Sequence, residues 1–159
     1  MRTPLALAAF LALAGPTLAQ SVLGEPDGWR VHPTHKAYDT LLMDLKAEVK
    51  AQQFGLVTEA GPTEVAAQRG ENIPGNRVVG VFRNDLAVTI IRDVPAAMIE
   101  APVRFMVMEE PDGTGTLAYK MPSSVFAPYE AEGSERLADA VATLDEAFAA
   151  IAERATSED

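Results

Sequence analysis

The chain has 159 residues, 48% of them hydrophobic, with 13 Lys and Arg against 23 Asp and Glu, a formal charge of −10 and no cysteine. A chain of this size buries about two-thirds of its unfolded surface and needs no disulfide or metal to hold a core. The missing thiols exclude a Cys nucleophile, a thiolate zinc or iron–sulfur centre, a CxxC redox pair and a lipoprotein anchor, and the acidic balance argues against nucleic acid as a partner, because phosphate binding needs a basic surface.

In chain order, the first segment is an address. Arg2 gives a positive n-region, residues 5–15 are an apolar run, and Thr17-Leu18-Ala19 sets small residues where a signal peptidase cuts. Pro16 ends the run at roughly half the ~20 apolar residues that a spanning helix needs. The expectation is a cleaved signal peptide over residues 1–19, a mature chain starting at Gln20, a periplasmic location and no membrane contact after cleavage. Residues 20–28, broken by Gly24, Pro26 and Gly28, read as a flexible lead-in. Residues 29–155 then form a single domain and residues 156–159 a polar tail.

Trp29 to His32 reads as a short strand, ended by a bend at Pro33. Tyr38, Leu41, Leu42, Leu45 and Val49 lie on one face of a helix over residues 36–53, with Gly55 placed to take positive φ at its exit. Residues 54–58 have strand composition, a short helical piece runs up to Gly70, and residues 77–83 read as a Val-rich strand. Asn84 caps a helical stretch to Ile91 that stops before Pro95. Residues 103–110 and 116–121 are two strands around Pro111-Asp112-Gly113-Thr114-Gly115, the strongest hairpin signal in the chain. Ser134 caps a long helix whose stripe is Leu137, Val141, Leu144, Phe148 and Ile151. Strand, helix, four strands and helix predict an α+β domain: an antiparallel sheet with both long helices on one face.

Three segments together resemble the bacterial family called domain of unknown function 302. They are Phe54-Gly55-Leu56-Val57 at a helix exit; Val78-Val79-Gly80-Val81-Phe82-Arg83-Asn84; and Ala101-Pro102-Val103-Arg104-Phe105-Met106-Val107-Met108-Glu109, continuing through Asp112-Gly113 to Tyr119 and Pro122. The resemblance covers residues 29–155 and implies a two-layer β-α-β(4)-α fold similar to the TATA-box-binding-protein class. It implies no activity, and a shared fold carries no DNA binding to an acidic chain. Met106 and Met108 depart from the aliphatic residues more usual in the family.

Candidate chemistry is sparse. His32 and His35 offer imidazoles for copper or zinc, and Met43, Met98, Met106, Met108 and Met121 offer soft thioethers for copper(I). A closed metal site needs a fuller ligand set, so a solvated His loop and core methionines are the stronger readings. Glu109, Glu110 and Asp112 lack the alternating-oxygen loop of a calcium site and read as a solvated acidic turn. Ser123 and Ser124 have no base near them in the sequence, and no phosphate-binding glycine loop is present. No cofactor is expected. A non-catalytic binding module is the leading reading, with periplasmic copper handling through His and Met, or an unrecognised enzyme, as alternatives.

Alternation gives the leading reading its residues. With Val103, Phe105 and Val107 toward the helices, Arg104, Met106 and Met108 point to the opposite sheet face. With Val78 and Phe82 inward, Arg77, Val79, Val81 and Arg83 join them, and Lys120 follows if Leu117, Tyr119 and Met121 go inward. Four cations around Val and Met on one face of an acidic protein predict a site for an anionic, partly apolar small molecule centred on Arg104. The same face suits a homodimer interface, and a pocket at a dimer seam would serve both.

Overall fold

The period-2 and period-3.6 patterns become five strands and five helices over residues 21–158, the part of the chain that the computed structural model describes. In chain order these are β1 (Trp29–Ala37), α1 (Tyr38–Ala51), β2 (Gly55–Ala60), α2 (Thr63–Gln68), β3 (Asn76–Phe82), α3 (Asn84–Asp93), β4 (Val103–Glu109), β5 (Thr114–Lys120), α4 (Pro122–Phe126) and α5 (Glu135–Thr156). Short 3-10 turns occupy Pro95–Glu100 and Ala127–Tyr129. The expected signal peptide and the expected start at Gln20 lie outside the described residues. No helix within them is long and apolar enough to cross a membrane.

The strands form one antiparallel sheet in the order β1-β5-β4-β3-β2, giving an α+β fold with the two long helices packed on each other and on one face. Each helix buries its apolar stripe: Leu41, Leu45 and Val49 of α1, and Leu137, Val141, Leu144, Phe148 and Ile151 of α5. The Ser134 hydroxyl caps α5 by accepting from the Arg136 N–H. Ser134 also donates from its N–H and Oγ to Asp93 at the end of α3, tying the two helices together. Facing them, Val103, Phe105 and Val107 of β4 and Leu117 and Tyr119 of β5 are buried.

Several local expectations are corrected. β1 does not end at His32 but runs through Pro33 to Ala37 with an irregularity between them. The proline is tolerated because β1 is an edge strand, where its missing N–H costs no ladder bond. Positive φ at the exit of α1 falls on Gln53, at 62°, rather than on Gly55. In the hairpin only Gly113 takes positive φ. Gly115 is needed for closeness instead, since a Cβ there would lie 3.2 Å from the Tyr38 Cα at the start of α1 and 2.8 Å from Leu41.

The face assignment of β3 is reversed. Val79 pairs with Phe105 and Val81 with Val103, so both valines are fully buried under the helices, while Val78 and Gly80 lie on the outer face beside Met106 and Arg104. Because side chains alternate strictly, a shift of one residue moves the whole set to the other face.

Candidate functional site: a cleft on the outer sheet face

That reversal decides which cations can act together. Arg77 falls on the helix side, paired with Glu64 and, at 3.6 Å, with Glu59. Arg83 lies 5.5 Å over the Phe54 ring and makes a two-pronged bond to Asp85, at 3.0 Å on its Nε and 3.1 Å on its Nη2. Neither belongs to the outer face, and both are already neutralised. Arg104 and Lys120 do share it. Gly80 stands opposite Arg104 and Trp29 opposite Lys120. The register that pairs Phe105 with Tyr119 brings Arg104 and Lys120, one step along each strand, to neighbouring positions. Among the described residues neither makes an ion pair. Like charges in adjacent strand positions disfavour one another, so a bound anion would stabilise the pair.

The next row across the sheet is apolar: Val78 beside Met106, Met106 beside Ala118, and Ala118 beside Val31. Over these two rows opens a cleft of about 270 Å³, lined by Trp29, Val78, Arg104, Met106, Ala118 and Lys120, with Glu100 and Val125 also on its wall. The Asn76 amide donates to the Met106 sulfur at 3.8 Å. Met108 sits one row further on, opposite Asn76 and Thr116.

Of the cleft residues that sequence reasoning does not reach, Trp29 and Glu100 bear most on its chemistry. Trp29 looked like a strand opener, and only its register with Lys120 brings it to the site. Glu100 ends the turn that leads into β4, where no periodicity announces a side-chain direction. Its Oε1 accepts a hydrogen bond from the Tyr129 phenol at 2.9 Å, which raises the phenol's pKa.

The outer face is not wholly open. Glu110, expected to be solvated, is 6% exposed, and its carboxyl accepts from the Ser21 hydroxyl at 2.6 Å, the Thr116 hydroxyl at 2.6 Å and the Val22 N–H at 3.3 Å. At the other end of β5 the Met121 N–H donates to the Gly28 carbonyl. Residues 21–28 therefore form a strap joined to the domain at these two anchors. Glu109 is also engaged, accepting from the Gly75 N–H at 2.6 Å, and Asp112 holds the turn through Thr114.

His32 and His35 are not brought together. His32 stacks on Tyr119 on the helix side, with ring centroids 5.9 Å apart, whereas His35 is exposed in the irregular part of β1. Among the described residues no three His, Asp or Glu side chains are grouped to hold a metal ion. The His32 Nε2 is buried without a hydrogen-bond partner. Burial holds the imidazole below its ordinary pKa, reinforced by Arg30 and opposed by Glu25. Since the folded form resists protonation, the unfolded chain takes up the proton first, and stability falls as pH drops through about 6.5 toward the folded value. Urea titrations from pH 7.5 to 5 are expected to show this decline, and His32→Phe should flatten it; an unchanged slope in the variant would contradict the assignment.

The sequence model of the family described as "Domain of unknown function DUF302" matches residues 30–151. A comparison with curated proteins finds no match. Among solved structures, the crystal structure of an uncharacterized conserved DUF302 protein from Bacillus stearothermophilus superposes with a TM-score of 0.71 at 15% identity, over 82% of this chain and 99% of that one. At that identity the likeness concerns the fold alone.

Proposed function

The chain belongs to the DUF302 family, which is defined without an activity, and from that premise we propose that this protein is a non-catalytic module binding a small anionic, partly apolar molecule in the outer-face cleft. The observation that carries the reading is the adjacency of Arg104 and Lys120, unpaired with any carboxylate among the described residues, beside the apolar row of Val78, Met106 and Ala118. Concave, mostly apolar sites with a few convergent polar groups are the usual form of small-molecule pockets. Arg104 is the central contact, since a guanidinium grips a carboxylate or phosphate with two parallel hydrogen bonds. The proposed setting is the periplasm, reached through the signal at residues 1–19.

A thermal-shift screen with carboxylates, phosphates and sulfonates tests the reading. At least one anion should raise Tm, and Arg104→Ala should weaken it about tenfold or more, the usual effect of losing a charge-assisted contact. The effect should shrink as salt rises, because the site is open to solvent. A protein that no anion stabilises, and that Arg104→Ala leaves unchanged, would refute it.

A homodimer through the same face is a second reading, favoured by Ile99, 79% exposed and next in sequence to Glu100 on the cleft wall. Light scattering separates the two, since a monomer that still binds an anion leaves the cleft reading alone.

A further inference from the structure

We infer that the occupant of this cleft is an α-amino acid with an apolar side chain, an inference that rests on the anion-binding reading above and names its ligand class. The cleft has a charged end and an apolar end. Arg104 and Lys120 stand in one row of the sheet, and the row beyond them, Val78, Met106 and Ala118, carries no charge. On the other side of the cation row, where the chain enters β4, the cleft wall is Glu100. One oxygen of Glu100 accepts a hydrogen bond from the Tyr129 phenol, and its second oxygen has no hydrogen-bond partner among the described residues. Glu100 and Arg104 line the same cleft without forming an ion pair, so neither charge is neutralised by the other and both are available to one head group.

A simple carboxylate would satisfy the two cations but would bring a second negative charge toward Glu100. A head group with a carboxylate and an ammonium on one carbon satisfies all three side chains: the carboxylate accepts from Arg104 and Lys120, and the ammonium donates to the open oxygen of Glu100. The substituent then lies over Met106 and Val78 against Trp29. The cleft volume of about 270 Å³ falls just below the ~300 Å³ lower end of drug-sized pockets, which suits a molecule of amino-acid size.

The test is calorimetric titration of the purified protein with L-phenylalanine, 3-phenylpropionate, which lacks the ammonium, and phenethylamine, which lacks the carboxylate. L-Phenylalanine should bind at least about tenfold more tightly than either analogue. Glu100→Gln should abolish its advantage over 3-phenylpropionate without weakening 3-phenylpropionate itself, and Tyr129→Phe, which frees Glu100 to swing, should reduce that advantage. Arg104→Ala should weaken both carboxylates. Equal affinity for L-phenylalanine and 3-phenylpropionate, or an advantage that survives Glu100→Gln in a variant with wild-type circular dichroism, would overturn the amino-acid inference and leave the anion reading standing. Binding of none of the three would overturn it as well, with the wider anion screen then deciding the broader reading.

Discussion

Phe148→Ala is expected to cost about 3–5 kcal/mol of unfolding free energy, the range for deleting a fully buried aromatic side chain. Phe148 is 0% exposed at the point where α5 meets the sheet. Its ring stacks on Phe105 at 4.2 Å, meets Tyr119 edge-on at 5.5 Å and approaches Phe54 at 6.2 Å. Phe105 and Tyr119 touch each other as well, at 5.3 Å, so the truncation would open a cavity bordered by rings from β4, β5 and the exit of α1. Such rings cannot collapse inward without leaving their own partners, which places the expected loss toward the upper part of the range. Urea unfolding monitored by circular dichroism reads it directly, and Phe148→Leu should recover part of the loss by refilling volume. A cost below about 1 kcal/mol would show that this cluster does not hold the two layers together.

Phe148 was visible from the sequence because a long amphipathic helix repeats its signal over several turns, and α1 and α5 each carry an unbroken 3.6-residue stripe. The β4–β5 hairpin was legible for a similar reason, with turn residues flanked by alternating strands. The face of β3 was not. Val78, Val79 and Val81 are apolar at both parities, so alternation within the strand admits either orientation, and only the pairing of Val79 with Phe105 decides between them. That ambiguity carried Arg77 and Arg83 to the wrong side, although β4 placed Arg104 and Met106 where they are found. Ion pairs such as Arg77 with Glu64 join residues on separate elements, and nothing local records them. Trp29 and Glu100 reach the cleft through sheet register and chain direction at a turn, both products of tertiary pairing. Reading Glu110 as solvated failed for a related reason: its charge predicts exposure, and its partners lie 6, 88 and 89 residues away.

Glu110→Ala is expected to be the second most damaging substitution, at about 2–4 kcal/mol. The carboxyl gathers three donors at a site 6% exposed, and its removal leaves the Thr116 hydroxyl, itself fully buried, without an acceptor. Hydrogen bonds to a charged acceptor contribute roughly 1.5–3 kcal/mol each at the favourable end, and a stranded buried donor costs about 1–3 kcal/mol. These effects overlap, which keeps the total below their sum. Glu110→Gln should lose less, because its carbonyl oxygen can still accept from both hydroxyls while its amide faces the Val22 N–H unproductively. A purely local destabilisation would stop there, but this carboxyl also anchors residues 21–28, so limited proteolysis should cut that segment faster in Glu110→Ala than in the parent. The release should be felt in the cleft. Trp29 donates its backbone N–H to the Pro26 carbonyl at 3.0 Å, and Gly28 holds the end of β5 through Met121 at 2.8 Å, so loosening the strap loosens the wall on which the proposed ligand's side chain rests. Ligand affinity should therefore fall in Glu110→Ala although Glu110 does not line the cleft. Unchanged proteolysis together with a stability loss under about 0.5 kcal/mol would mean that the three hydrogen bonds are replaced by water without consequence, and that the strap is held by β1 alone.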